Sequence, residues 1–564
     1  MGHTALNDDE KGDTLDFSKA DFRYANVYIK STVEGGRPIR IPFQRPPPVE
    51  DFIDREEEII KLLVDLQPGR VVTLCGPGGI GKSALASKAV WTLAPEDSLP
   101  DLFPDGIIYY SFDRRAETAY AYEHIVRSYD EEAQDTSQAA TLRTLSQRQT
   151  LLILEGTEQA VDLPNLLQTR GDCAVLITSR KQSDAIADKQ DLQPLPMDVA
   201  IELLQARLGR QITERDAAYG ICEMLGGLPM AICLVGRYLS ETGESLEEYL
   251  EWLRETPLEA LDPDEVEDRL RSVPYLLERS LTQVDDEAVR VMALSGLLAL
   301  SPFSQDVVAE TLQFSTSSLR RALRRLTNFG LLRRVGERYE VNHRLLHTYA
   351  SQSLAVDEET SRRFVSYFIG LAENEIEEGL PGYLRLDVDR EHMMRVLEWC
   401  LESKQWSLAL DLVFAVDTYL DIRGHWVDRV TACESGLVAA RLSDNIWDES
   451  ACYVNLGVAY HDLGEVKRAI GFYEKALEIK TEIGDRAGES ACYTNLGIAY
   501  HDLGEVKRAI EYHEKALEIK TEIGDRAGES KGYDVLSSVY DEMGDQEKAN
   551  EYREYAHKLA DENP

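Results

Sequence analysis

The chain has 564 residues, 43% hydrophobic and 8% aromatic. At roughly 150 residues per domain this predicts about four domains with real cores and excludes wholesale disorder. Acids outnumber bases 101 to 61, a net charge of −40, so the chain as a whole repels phosphate backbones, and DNA binding is disfavoured.

No apolar run reaches 18 residues; the longest lies around 291–300. The N-terminal MGHTALNDDEKGD is acidic and polar, unlike a signal peptide, so a soluble, cytoplasmic chain with no membrane partner is expected. The bases are 18 Lys and 43 Arg. An acid-rich, Lys-poor composition fits a high-salt cytoplasm that screens self-repulsion, with an ordinary acidic mesophile as the alternative. The eight cysteines form no CxxC and no zinc-spaced cluster with histidine, so reduced, mostly buried thiols are expected.

Residues 1–49 are an N-terminal extension. Segment 21–33, DFRYANVYIKSTV, alternates and is β-prone. It is followed by GGRPIR and PFQRPPP, whose prolines predict a stiff linker. The strand either docks on the chain's own domains or, gathered at an oligomer hub, recruits a separately encoded effector.

Residues 50–196 carry apolar runs at 71–75, 106–112, 151–154 and 174–178, separated by helical or loop stretches. This pattern predicts a parallel sheet covered on both faces. The first run leads into Gly76-Pro77-Gly78-Gly79-Ile80-Gly81-Lys82-Ser83, a GxxxxGK[ST] phosphate loop, with Ala84 behind it in the opening helix. Its glycines let backbone N–H groups turn toward phosphates, and the helix N-terminus adds partial positive charge. Lys82 is expected on the outer phosphates and Ser83 on Mg²⁺. Run 151–154 ends in Glu155, a candidate Mg²⁺ ligand through water. Glu158 is a candidate for polarising the attacking water, or a helix N-terminal acid. Arg180 follows the run at 174–178, at the sheet edge where ligands sit, as a γ-phosphate sensor or a surface residue.

Residues 197–275 read as a helical domain. Residues 276–352 form a unit with a β-hairpin at 331–341 turning at Gly336-Glu337, and 353–445 a helical arm with a degenerate helical pair at 406–441. The segment 318–338 holds seven arginines, Arg320, Arg321, Arg324, Arg325, Arg333, Arg334 and Arg338. They either meet DNA or pair with the chain's own acids.

From 446 to 564 the chain repeats. Blocks 449–488 and 489–528 are 40 residues long and identical at 35 positions, and a third, divergent copy begins at Glu529. Each block reads as two helices, with Leu456, Gly457 and Tyr460 on a face of the first and Ala469, Tyr473 and Ala476 on a face of the second. The pattern Leu-Gly-x-x-Tyr then Ala-x-x-x-Tyr-x-x-Ala resembles the tetratricopeptide repeat, in the longer form seen in kinesin light chains and bacterial sensor proteins.

Three further motifs complete a second resemblance: Phe52-Ile53-Asp54-Arg55-Glu56, Gly226-Gly227-Leu228-Pro229-Met230-Ala231, and Val341-Asn342-His343-Arg344. With the phosphate loop, acid strand and Thr-Ser-Arg, their order resembles the STAND class of signalling ATPases. The NB-ARC type is the match, as in plant disease-resistance proteins and the apoptosome adaptor.

The resemblance implies a multidomain fold: a P-loop parallel α/β nucleotide-binding domain, a helical domain, a winged helix and a tetratricopeptide α-solenoid. It implies that Ile53 and Arg55 border the adenine, Pro229 packs on base or ribose, Arg180 senses the γ-phosphate and His343 touches the ADP β-phosphate. It also implies an ATP/ADP and Mg²⁺-dependent switch, with a protein or peptide trigger on the repeats and homo-oligomerisation with ATP. The acid strand carries Glu for Asp, and the usual Met-His-Asp is Asn342-His343-Arg344; both departures predict slow turnover or a looser resting state. The alternatives are a winged-helix transcriptional regulator and a repeat scaffold with a degenerate ATP site.

Overall fold

The computed structural model describes residues 27–34, 37–49, 52–131, 133, 135–184, 188–256 and 273–561. Residues 21–26 of the β-prone segment lie outside them. Strands β1 (Val27–Glu34) and β2 (Arg37–Phe43) form an antiparallel hairpin. They are followed by α1 (Glu56–Asp65), β3 (Val71–Cys75), α2 (Lys82–Leu93), β4 (Ile107–Ser111), α3 (Thr118–Tyr129) and α4 (Gln138–Leu145). Then come β5 (Leu151–Glu155), α5 (Leu163–Gln168), β6 (Ala174–Ser179) and β7 (Asp188–Asp191).

The seven strands form one sheet in the order β1-β2-β4-β5-β6-β3-β7, parallel apart from the hairpin. β3 and β6 are buried along their whole length, as a sheet covered on both faces requires. One face packs Leu62, Leu74, Leu85 and Phe103, and the other packs Phe112, Tyr120, Ile125 and Ile177.

Two elements depart from the sequence expectation. Residues 37–43 are a strand that pairs in parallel with β4 through Phe43 and Ile107, and 44–47 are docked rather than a free tether. The Arg45 guanidinium lies 3.7 Å from the Trp91 ring centroid, Trp91 Nε1 donates to Pro46 O at 2.9 Å, and Ser87 Oγ donates to Pro47 O at 2.6 Å. β7, sequence DKQD, carries no apolar signal because it is an edge strand held to β3 by backbone pairing.

Helices α6 (Met197–Leu208), α7 (Arg215–Met224), α8 (Pro229–Thr242) and α9 (Leu246–Glu255) follow, and their core is continuous with one face of the sheet. Beyond Val273–Thr282, helices Asp286–Ser295, Gln305–Leu312 and Thr316–Asn328 precede the antiparallel pair β8 (Leu332–Val335) and β9 (Arg338–Val341). Phe303 bridges to Tyr339, an arrangement compatible with a winged helix. All later elements are helices, ending in the pairs Ile446–Asp462 with Val466–Glu482, Arg486–Asp502 with Val506–Ile523, and Arg526–Glu542 with Gln546–Asp561.

Close approach fixes the repeat glycines. A Cβ on Gly457 would stand 2.3 Å from Tyr473 Cε1, and one on Gly497 2.5 Å from His513 Cε1. Tyr460 stacks on Phe472, Tyr500 on Tyr512 and Tyr540 on Tyr552. Adjacent copies are tied by His461 Nε2 to Asp502 and His501 Nε2 to Glu542, each at 2.8 Å. All eight cysteines are free, seven of them buried. Among the described residues no helix is long and apolar enough to cross a membrane.

The arm packs back on α3. Buried Glu123 meets Arg390 Nη1 at 2.9 Å and His425 Nδ1 at 2.8 Å, and His425 Nε2 meets Asp387 at 2.8 Å. Fully buried Asp428 takes Arg115 at 3.1 Å and Arg390 at 3.3 Å. Arg127 donates to Arg423 O at 2.8 Å. Burial works to raise the Glu123 and Asp387 carboxyls; for Glu123 the nearby Arg390 and His425 outweigh it, for Asp387 His425 and Arg423, so both are held well below the usual range.

Candidate nucleotide site

The loop after β3 is shaped by three left-handed glycines, Gly76 (φ +146°), Gly79 (φ +72°) and Gly81 (φ +99°). A Cβ on Gly76 would meet Ile80 Cγ2 and Leu192 O at 3.2 Å, and one on Gly79 would meet Met230 Cβ at 3.2 Å. Ile80 is fully buried and anchors the loop from below, while Ser83 is exposed and Ala84 half-buried on the first turn of α2. Lys82 is 9% exposed, and its Nζ donates to Gly76 O at 2.8 Å and Pro77 O at 2.9 Å. Burial lowers its pKa to about 8, against the pull of Glu158.

Two motifs from outside the loop bear on it. Pro229 and Met230 open α8; Met230 N donates to Gly79 O at 3.3 Å, and Pro229 Cγ is 3.9 Å from where a Gly81 Cβ would lie. Arg55 precedes α1 at φ +69°, after Asp54 at φ +58°. Two consecutive left-handed non-glycine residues cost of order 1 kcal/mol or more each and persist where surroundings impose them. Arg55 Nη2 donates to Gln193 O at 2.9 Å, next to Leu192, whose carbonyl faces Gly76. Arg55 Nη1 is buried without a hydrogen-bond partner, and Ile53 is half-buried against the core.

The acids are arranged differently from expectation. Glu155, at the end of β5, accepts a short hydrogen bond from Tyr109 Oη. Burial, then Glu155, drives the Tyr109 phenol well above its ordinary pKa. Glu158 is not a free base: Arg180 Nε lies 2.9 Å from Oε1, and Arg180 N donates to Oε2 at 3.1 Å. Arg180 is thereby committed to an internal carboxylate.

His343 caps helix Arg344–Ser353. Its Nδ1 accepts from Leu345 N at 3.1 Å, which assigns the proton to Nε2 and leaves an N–H donor. Burial, then Arg180, Lys82, Arg344 and Arg333, push its pKa down to about 3. It is therefore a neutral donor, able to hydrogen-bond an oligophosphate oxygen. Arg344 binds Asp113 and stands 4.0 Å from Glu158. Glycine cradle, buried lysine, unpartnered Arg55 Nη1 and the His343 donor together fit a nucleoside di- or triphosphate.

The phosphate loop, Glu155, Glu158, Arg180, Pro229 and His343 come together; Arg55 joins from the far side through Gln193. Sequence reasoning missed Tyr109 and Asp113, and placed Met230 in a motif without its contact to Gly79. Asp113 had a legible signal, a charged residue just past an apolar run, like Arg180. Of the seven arginines at 320–338, five pair with acids: Arg321 with Glu287, Arg325 with Asp285, Arg333 with Glu340, Arg334 with Glu337 and Arg338 with Asp389.

The fold and site define a P-loop nucleotide-binding module joined to a helical solenoid. The NB-ARC domain model matches residues 53–211, and a tetratricopeptide repeat model matches 448–522 and 493–562. The chain thus carries an NB-ARC domain and C-terminal tetratricopeptide repeats. It is 28% identical over 218 residues to the regulatory protein AfsR of Streptomyces griseus and 27% identical over 223 residues to AfsR of Streptomyces coelicolor. Each alignment covers 35% of this chain and 22% of the relative, so the chain matches about a fifth of those proteins' length. Among solved structures it resembles the STAND protein with a tetratricopeptide repeat sensor from Pyrococcus horikoshii, at 16% identity and TM-score 0.40, covering 92% of this chain and 91% of that one.

Proposed function

We propose that the chain is an ATP/ADP-dependent signalling switch of the STAND type, a slow ATPase whose repeats receive a protein or peptide trigger. The observation that carries this reading is convergence. The phosphate loop, the start of α8 at Pro229-Met230 and the cap residue His343 come from three separate parts of the chain and bear on one place, the surroundings of Lys82 and Gly79. A ligand bound there interacts differently with closed and open arrangements, which a switch requires.

Bound Mg²⁺-nucleotide supplies the phosphoanhydride bond and its charge. In this reading Lys82 exchanges the Gly76 and Pro77 carbonyls for phosphate oxygens, and Ser83 and Glu155 hold Mg²⁺, Glu155 through water. His343 donates Nε2–H to the ADP β-phosphate, Ile53 and Arg55 border the base, and Pro229 packs on base or ribose. Glu155 stands where the family has Asp, and Tyr109 already engages it, which supports slow hydrolysis. The arm docked on α3 corresponds to the resting state; ADP-to-ATP exchange opens the chain, permits homo-oligomerisation and engages an effector. A regulatory role is in keeping with the name of the Streptomyces relatives.

The test is calorimetry of ADP and ATPγS with the full chain and Lys82→Ala, with size-exclusion profiles of each complex. Binding lost in the variant and a larger species with ATPγS support the switch. Unchanged affinity in Lys82→Ala refutes the site.

A further inference from the structure

Glu158 lies between two arginines from different parts of the chain, its side chain 8% exposed. Arg180, just past β6, holds both its oxygens. Arg344 opens the helix after β9, and its Nη1 is 4.0 Å from the same Oε1 while it binds Asp113. Asp113 in turn crowds Gly156, where a Cβ would stand 2.8 Å from Asp113 Oδ1. Asp113, Arg344, Glu158 and Arg180 therefore form one row of alternating charge across the ends of β4, β5 and β6. Glu158, Arg180 and Asp113 all act on Lys82, so the row lies alongside the phosphate loop.

A buried carboxylate does not stay unpaired at low cost. If a third phosphate draws Arg180 away, Glu158 loses both the Nε contact and its main counter-charge. The nearest replacement is Arg344, which needs to shorten its distance by only about 1 Å to make a charge-assisted hydrogen bond. Doing so loosens it from Asp113. ADP has no group to draw Arg180 off and leaves the row as it stands.

We propose that Arg344 is a positioning residue that takes over Glu158 when a γ-phosphate claims Arg180, so that helix Arg344–Ser353 is re-tethered from Asp113 to Glu158. The proposal rests on the nucleotide-binding reading above and deepens it: the third position of the Asn-His-Arg motif distinguishes ATP from ADP without touching either.

The experiment is calorimetry of Mg-ADP and Mg-ATPγS on the full chain. Arg344→Gln strands Glu158 only when a γ-phosphate is present, so it lowers the ATPγS-to-ADP affinity ratio about tenfold, or 1.4 kcal/mol. Arg344→Lys keeps the ratio within about threefold of wild type, because the charge is retained. Glu158→Gln alone raises the ratio, since Arg180 is no longer held, and the double variant Glu158→Gln with Arg344→Gln recovers at least the wild-type ratio, because a neutral amide needs no counter-charge. A merely structural Arg344 would weaken both nucleotides alike and would not be rescued by Glu158→Gln; either result overturns the proposal. If Arg344→Gln fails to fold, Asp113→Asn decides: freeing Arg344 from Asp113 raises the ATPγS-to-ADP ratio when Arg344 takes over Glu158, and an unchanged or lowered ratio refutes it. Wild-type protein that binds neither nucleotide overturns the nucleotide reading itself.

Discussion

Glu123→Gln should undock the arm from the nucleotide domain. With the arm docked, Glu123 is the carboxylate on which Arg390 and His425 converge, at 2.9 and 2.8 Å, with Arg127 Nε at 3.5 Å. Removing one partner of a buried ion pair costs about 3–5 kcal/mol, because the remaining charges stay desolvated without compensation. Glutamine keeps one acceptor oxygen and Arg390 keeps Asp428, so about 3 kcal/mol is the better figure. The penalty applies only while the arm is docked, since opening rehydrates the cations. At 1.4 kcal/mol per tenfold, the closed-to-open ratio falls by roughly 100-fold. Small-angle scattering of the ADP-loaded chain reads the change as a larger radius of gyration, with limited proteolysis of the freed arm as a second measure. Glu478→Gln, at an exposed glutamate of the repeats, is the control. A Glu123→Gln profile that superimposes on wild type in both assays would refute the view that this network holds the arm.

Three further outcomes are expected. With a pKa of about 8 before phosphate arrives, Lys82 is about half protonated at pH 8, and phosphate raises its pKa again. ADP binding should therefore take up about half a proton at pH 8 and weaken by up to about tenfold per pH unit above it; titrations in two buffers of different ionisation enthalpy that give the same heat contradict this. Gly79→Ala places a Cβ at φ +72° and 3.2 Å from Met230 Cβ, so about 1 kcal/mol of backbone strain plus displacement of Met230 should lower ADP affinity about tenfold, measured by calorimetry. Gly457→Ala drives a Cβ to 2.3 Å from the Tyr473 ring and should cost about 1–3 kcal/mol in urea unfolding of the repeats, with ADP affinity unchanged.

The parts of this molecule that were legible in its sequence are those set by local pattern. Four apolar runs became β3 to β6, and the glycine spacing of the phosphate loop matched its backbone angles because glycine adopts them without strain. What escaped depends on partners distant in sequence. β2 looked like linker because of Pro38 and Pro42, which strands near a sheet edge accommodate. Gln44 is buried there by hydrogen bonds to Ser128 and His124, some 80 residues away. Glu158 looked available for catalysis because nothing local reveals that Arg180 folds back on it. The α3–arm network joins residues about 270 to 310 apart, and no spacing rule links Glu123 to Arg390 or His425.

The near-identity of the C-terminal blocks makes their joints interchangeable. His461 reaches Asp502 and His501 reaches Glu542 across the same interval of 41 residues, so each copy presents its successor with the contact it received from its predecessor. A whole 40-residue block inserted or excised in register would leave its neighbours meeting surfaces they already fit. The repeat surface can therefore change length in fixed steps with no new packing solution, and chemical individuality between the two copies is confined to five places: Val454 against Thr494, Val458 against Ile498, Gly471 against Glu511, Phe472 against Tyr512 and Tyr473 against His513.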